Sequence, residues 1–592
     1  MCGIIGYIGK KDVVDILLNG LYSLEYRGYD SAGVALSNGI DNSIIKSVGR
    51  VPLLEDKIKK EKTDNYTYGI AHTRWATNGE ATEVNAHPHR VGRVTLVHNG
   101  IIENSDLLKE ELIKEGYSFE SETDTIIVAA LIDHYLKDND VIDAINLAKE
   151  RLTGSYALGI MIDGDETLYA IRKDSPLIIG IGDDEYYLAS DITAIAKYTK
   201  KYILLDTNEI AVLSKDHYKI YKDDKEITKE VLTSDSEGFN IDKQGYEHFM
   251  MKEIMEEPLV IKRLVDRYYD ESKRKELDLS KYKEIDIVGC GSAKYAGMVG
   301  AALFEDYAGI KTTVYSASEY RYKKKFYNTD TLVILISQSG ETADTIAALR
   351  EVKSLNLKTI GIVNNPDSTI AREADETLLI EAGVEVAVAT TKAYIAQVLV
   401  LSLMAYTTAT AKKMLDMPYD EYLYLPNKLK QVLYRINEYK KVANSIYKNE
   451  NIYFIGRGID YSICMEGSLK LKEISYIHCE AYEAGELKHG TISLIEENVP
   501  VIAVITDDRL KDKTLSNLKE TLARGANGII VTDSDVEEGN ASVIKIPKSN
   551  TLISPMLVVP SLQLIAYFTA KKRNCDIDKP RNLAKSVTVE WR

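Results

Sequence analysis

Short apolar runs bounded by turn residues dominate the first 235 positions. Gly69-Ile70-Ala71-His72, Thr95-Leu96-Val97-His98 and Tyr156 to Met161 each read as a strand, and helical spacing over Asp124 to Leu136 is interspersed among them. That mixture predicts an α+β sandwich. A polar stretch from Ser234 to Gln244 leads into charged helical spacing from near Tyr246, which places a domain boundary at about residue 240. Beyond about residue 280 the pattern turns into strand followed by helix, repeatedly, and predicts parallel sheets covered by helices.

That second pattern occurs twice. Ile285 to Gly291 leads after 48 residues, from Gly289 to Ser337, to the apolar strand Leu332 to Ser337; Ile452 to Gly458 leads after 50, from Gly456 to Thr506, to Val501 to Thr506. Two copies of one doubly wound unit account for both spacings. The expected organisation is residues 1–240, a helical join over 241–280, a first α/β unit over 281–430 and a second over 431–592 that includes the tail.

Composition narrows the chemistry. At 592 residues the chain exceeds one core. A net charge of −16 disfavours nucleic acid or an anionic membrane as the main partner, so any anionic substrate needs a local site. No apolar run reaches the ~18 residues that span a bilayer, the longest candidate, Met556 to Ala570, being broken by Pro560 and Gln563. With no secretory pattern at the N-terminus, the expected location is the cytoplasm. Cys2, Cys290, Cys464, Cys479 and Cys575 are too scattered for a disulfide framework or close-spaced zinc ligands. His72, His87, His89 and His98 match no helical metal motif, so they read as structural, and neither metal nor cofactor is expected.

Cys2 is the most informative single residue. Removal of Met1 would give it a free α-amine, whose reference pKa of about 8 suits it to take the thiol proton. A small apolar residue opening a buried strand is the alternative. Arg74, Trp75, Thr77, Asn99, Gly100 and Asp124 complete a set suited to attack on a side-chain amide: Arg74 for an α-carboxylate, Asp124 for an α-ammonium, Asn99 with the Gly100 N–H for an oxyanion. Taken singly, each has another reading: a surface ion pair for Arg74, a hairpin turn for Asn99-Gly100, a helix cap for Asp124.

In the second half, Ser337-Gln338-Ser339-Gly340-Glu341-Thr342 follows an apolar strand and precedes helical spacing, which suits it to cradle a phosphate. Gly289-Cys290-Gly291-Ser292 lacks the third glycine of a dinucleotide fingerprint, and no nucleotide P-loop pattern occurs, so a sugar phosphate fits better than NAD or ATP. Lys470, Glu473 and His489 supply the amine, carboxylate and imidazole that aldose–ketose isomerisation uses, and Lys585 in the tail offers a Schiff-base amine. A solvated helical ion pair is the competing reading for Lys470 and Glu473.

Residues 2–235 resemble the glutaminase domain of the N-terminal-nucleophile amidotransferases, departing at Asn78, where members commonly carry histidine. With His248 to Ile254 at the join and tandem sugar-isomerase units behind it, the whole chain resembles the isomerising glutamine–fructose-6-phosphate aminotransferase family. The resemblance implies glutamine hydrolysis at Cys2, passage of ammonia through an internal channel gated by Trp75, and conversion of fructose 6-phosphate to glucosamine 6-phosphate, the first step of hexosamine synthesis. It implies that Ser337, Gln338, Ser339 and Thr342 hold the phosphate and that Ser292, Val388 and Thr391 line the sugar site. Glu473 would shuttle a proton with Lys470 assisting, His489 would open the ring from a neighbouring subunit of a homodimer, and Lys585 would form the imine. Two rivals remain: a non-catalytic sugar-phosphate sensor, which needs neither Cys2 nor Lys585, and an amidotransferase acting on phosphoribosyl pyrophosphate, which needs a different phosphate-binding pattern.

Overall fold

The computed structural model describes residues 2–61, 63, 66–76, 79–234, 243–324, 328, 330–536 and 538–587. The chain divides into two units, Met1–Asp242 with Ala584–Arg592, and Lys243–Leu583.

The first unit is built on two facing antiparallel sheets. In the eight-stranded sheet, Gly3–Ile8 lies between Tyr186–Ala189 and Tyr68–Arg74; in the seven-stranded sheet, Val94–Ile102 lies between His89–Val91 and Gly154–Ile162. Side chains alternate across a strand, so successive apolar residues enter different cores. Ile4 packs between the sheets with Ile70, Val97 and Leu188, whereas its neighbour Ile5 packs outward with Leu17 and Leu21 of the helix Val13–Leu24. On the far side, Leu96, Leu158 and Ile160 meet Ile127 and Leu131 of Asp124–Tyr135 and Ile145 of Val141–Arg151. The result is a helix–sheet–sheet–helix sandwich, stabilised by roughly 1.5–3 kcal/mol for each large aliphatic side chain buried.

The second unit contains the predicted duplication. One parallel sheet runs Lys311–Ser316, Glu284–Gly289, Thr331–Ser337, Lys358–Val363, Glu376–Leu379; the other runs His478–Glu483, Asn451–Gly456, Pro500–Ile505, Asn527–Thr532, Ser542–Lys545. The strand order is the same in both. Each first strand turns into a 17-residue helix, Ser292–Ala308 or Ile459–Ser475, through a glycine of nearly identical left-handed geometry, Gly291 at φ 53° and Gly458 at φ 54°. Close packing recurs too: a Cβ on Gly300 would sit 2.9 Å from Leu401, and one on Gly467 would sit 2.5 Å from Leu562.

Leu401 belongs to the helix Lys392–Ala411, and Leu562 to Ser554–Lys572. By length and composition Lys392–Ala411 could cross a bilayer, and 94% of its most apolar window is buried inside the protein. The expectation from uninterrupted apolar runs passed over this segment because its hydroxyl residues and Gln397 break the run. It is a core helix that joins both copies into one hydrophobic cluster.

Candidate functional site

In the first unit, strand register sets the geometry around Cys2. Gly3 pairs with Thr73, so the residue before it lies beside Arg74 and Trp75 at the end of a central strand. The Trp75 N–H donates to Cys2 Sγ at 3.3 Å, and the thiol in turn lies 3.6 Å from the Trp75 carbonyl. Burial pushes the Cys2 thiol up, with the Trp75 N–H and the Arg74 guanidinium acting against it. The Trp75 ring packs edge-on against Tyr29 at 5.8 Å, and Asp30 accepts from the Ala76 N–H at 2.9 Å.

The opposing sheet delivers Asn99 and Gly100. They lie within the strand Val94–Ile102, so the hairpin-turn alternative does not apply. Asn99 Nδ2 donates to the Cys2 carbonyl at 3.1 Å. Gly100 has φ 138°, and a Cβ there would come within 2.0 Å of the Ser155 carbonyl, so only glycine fits. Asp124 opens the helix Asp124–Tyr135, and its carboxylate accepts from the Ile102 N–H at 2.8 Å. Arg74 is buried, donating to the carbonyls of Gly79 at 2.9 Å and Glu80 at 3.1 Å. Thr77, expected at this site, and Asn78 lie outside the described residues.

The four histidines of this region form one buried neutral group. His72 stacks on His87 at 4.1 Å, and His87 meets His89 edge-on at 4.9 Å. Burial lowers all four, His72 to about 3. The Thr125 hydroxyl links His98 Nδ1, His87 Nε2 and Asp124 at 3.0, 3.2 and 3.4 Å. Among the described residues no group of histidine, cysteine and carboxylate side chains is arranged to hold a metal.

In the second unit the loop Ser337 to Thr342 lies where the strand order reverses, the place where open α/β sheets bind ligands. Ser337 Oγ accepts from the Gly340 N–H at 3.0 Å and lies 2.9 Å from Thr342 Oγ1; Ser339 Oγ accepts from the Glu341 N–H at 3.1 Å. Glu341 fixes the loop from behind by accepting from the N–H and hydroxyl of Thr369 at 2.7 and 2.9 Å. Gln338 is half-buried on the loop's rim, and the helix Ala343–Ser354 begins directly after Thr342.

Ser292, at the matching end of the neighbouring strand, donates to Glu466 Oε1 at 3.0 Å and so ties the first copy to the second. Glu466, Lys470 and Glu473 share a face of the helix Ile459–Ser475, and Lys470 bridges both carboxyls. Lys470 and Glu473 are 1% and 14% exposed, so their pair is not the solvated one that spacing allows, and Glu466 beside them is 0% exposed. Burial alone would lower Lys470, but Glu466 and Glu473 together hold it above the ordinary lysine value. Thr391 and Val388 are buried, Thr391 receiving support from Glu385, which accepts its N–H at 2.9 Å.

Comparison with known proteins matches both halves. A model of the SIS domain fits residues 278–407 and 445–569, and a model of a glutamine amidotransferase domain fits 72–197. Glutamine–fructose-6-phosphate aminotransferase (isomerizing) from Clostridium tetani is 45% identical over 613 residues, and that from Caldanaerobacter subterraneus is 46% identical over 616, each across 100% of both chains. The chain belongs to this aminotransferase family. The solved C-terminal domain of glucosamine-fructose-6-phosphate aminotransferase from Francisella tularensis covers 58% of this chain and 100% of its own, with TM-score 0.53 and 36% identity.

Two residues expected from the aminotransferase resemblance lie on other elements of the chain. His489 is exposed on the short turn Glu486–His489, with no hydrogen bond to Lys470 or Glu473 among the described residues. Lys585 is half-buried and groups with the first unit, in the segment Ala584–Arg592. Two residues that hydrogen-bond within these clusters, Glu466 and Asn85, lie outside the sequence analysis. Glu466 had a signal, its spacing of four from Lys470 on one helical face. Asn85, which donates to Glu80 O and Glu122 Oε2 at 3.1 Å each, had no signal, because its partners are remote in sequence or backbone.

Proposed function

We propose that this aminotransferase makes glucosamine 6-phosphate and glutamate from fructose 6-phosphate and glutamine, as its relatives' name describes and as hexosamine synthesis requires. The observation that carries the reading is the setting of Cys2: its sulfur accepts the Trp75 N–H at 3.3 Å while the Asn99 amide reaches its carbonyl at 3.1 Å. With Met1 removed, the Cys2 α-amine takes the thiol proton and the thiolate attacks the side-chain amide carbon of glutamine. Arg74 and Asp124 hold the α-carboxylate and α-ammonium, with Thr77 supporting. The oxyanion rests on Asn99 Nδ2 and the Gly100 N–H, ammonia leaves, and water releases glutamate.

In the second unit Ser337, Gln338, Ser339 and Thr342 hold the phosphate, and Ser292, Val388 and Thr391 shape the sugar pocket. His489, supplied by a partner copy in a homodimer, assists ring opening, and the Lys585 amine condenses with the C2 ketone, releasing water. Ammonia then displaces the lysine at C2, its passage gated by Trp75. Glu473 moves a proton from C1 to C2 with Lys470 beside it, and hydrolysis at C1 is not required because tautomerisation yields the amino aldose. A cytoplasmic setting, with neither nucleic acid nor membrane as partner, completes the reading.

The test is to quantify glutamate and amino-sugar phosphate together while offering several ketose phosphates. Equimolar products with fructose 6-phosphate support the assignment; glutamate without amino sugar for every ketose overturns it.

A further inference from the structure

We infer that His72 is a positioning residue for glutamine hydrolysis, fixing which end of the Asn99 carboxamide faces Cys2. This rests on the reading of Asn99 as an oxyanion donor and adds to it the group that orients it. His72 Nε2 lies 3.0 Å from the His98 carbonyl and 3.1 Å from Asn99 Oδ1. A carbonyl oxygen can only accept, so the His98 carbonyl requires the proton on Nε2. The same N–H then selects the oxygen of Asn99 and repels its NH2, which leaves Nδ2 pointing at Cys2, where it donates to the backbone carbonyl at 3.1 Å.

Were the carboxamide reversed, its NH2 would meet a nitrogen already carrying hydrogen, and an oxygen lone pair would face the nucleophile's carbonyl. Both contacts are repulsive in a site that excludes water. Stacking on His87 at 4.1 Å and 19° holds the His72 ring in plane, and His87 is itself held by the His98 N–H, which donates to its Nδ1 at 3.3 Å. Burial keeps His72 uncharged, so this tautomer persists across the physiological range. His72 thus carries no proton to substrate; it sets the direction of a donor that does the stabilising.

The experiment measures kcat and KM for glutamine hydrolysis by the full chain carrying His72→Leu, His72→Gln, Asn99→Ala, or His72→Leu with Asn99→Ala. His72→Leu should lose at least about tenfold in kcat with KM changed less than about threefold, because the glutamine clamp is untouched. His72→Gln, whose amide N–H reaches the Nε2 position, should recover most of that loss. In the double variant, His72→Leu should subtract less than about threefold from Asn99→Ala, since a positioning residue has nothing left to position. A structural role would multiply the two losses in full. Unchanged kcat in His72→Leu, full multiplication, or a Gln variant no better than Leu overturns the inference. If Asn99→Ala keeps its kcat, the oxyanion reading itself fails and the inference with it. Should His72→Leu fold poorly, His72→Asn, too short to reach the Nε2 position, takes its place in the same comparisons.

Discussion

Lys470 Nζ lies 3.4 Å from Glu466 Oε1, one helical turn back, and the side chains are 1% and 0% exposed. Lys470 also pairs with Glu473, so one ammonium faces two carboxyls. Burial pushes Glu466 up to about 8 despite the pull of Lys470, and the neighbouring Glu473 carboxyl adds to the rise. Below that value Glu466 holds its proton and stands uncharged beside the Lys470 ammonium.

That protonation predicts a pH signature. The folded value of Glu466, about 8, exceeds the ordinary 4.5, so between them the folded chain holds a proton that the unfolded chain has released. The associated stability is fully present below about 4.5 and is lost as pH rises through about 8. Glu466→Gln removes the titration, so its melting temperature should gain on wild type from pH 5 to about pH 8 and level off above that. A difference that stays flat with pH, in thermal unfolding followed by circular dichroism, counts against a protonated Glu466.

Gly100→Ala places a Cβ 2.0 Å from the Ser155 carbonyl in a backbone conformation closed to other residues. The expected cost is about 3 kcal/mol or more of stability, with at least a hundredfold loss in glutamine hydrolysis as the strand shifts the Asn99–Gly100 pair. Denaturant titration and a glutaminase assay read the two effects. Wild-type hydrolysis in this variant would separate Gly100 from the chemistry.

Cys2→Ala should abolish glutamine-dependent synthesis while fructose 6-phosphate still binds, because the proposed phosphate loop around Ser337 is built wholly within the second unit. Isothermal titration with the sugar phosphate and a product assay distinguish the two. Mass spectrometry of the same preparations should show Met1 removed from active wild-type protein, since retention turns the α-amine into an amide nitrogen without basicity.

Lys585→Ala should lose amino-sugar formation and retain glutaminase activity at Cys2, the two reactions using separate groups. Borohydride trapping in the presence of fructose 6-phosphate should label wild type and not the variant. Full product formation by Lys585→Ala would remove the imine role.

The histidines show where a sequence stops being informative. Their types and spacing match no helical metal motif, yet spacing says nothing of a ring nitrogen facing a carboxamide on another sheet. His72 and Asn99 are brought together by the facing of two sheets, a long-range outcome of burying Ile4, Ile70 and Val97 between them. The reading of Lys470 and Glu473 failed to choose between a solvated pair and a reactive one for the same reason. Helical spacing reports that two side chains can meet, while burial decides what their meeting costs.

By itself the sequence determined the local features: strands from apolar runs between turns, the duplicated α/β unit from matched spacings, and a hydroxyl-rich turn from Ser337 to Thr342 between a strand and a helix. These depend on neighbours within a few residues, where backbone geometry and side-chain period leave few choices. Only the tertiary structure decided which of those groups are dry, which are oriented, and which partners they face. Glu466 becomes an acid that keeps its proton, and His72 a fixed N–H donor, because packing removes water and leaves hydrogen-bond geometry to choose the state of each group.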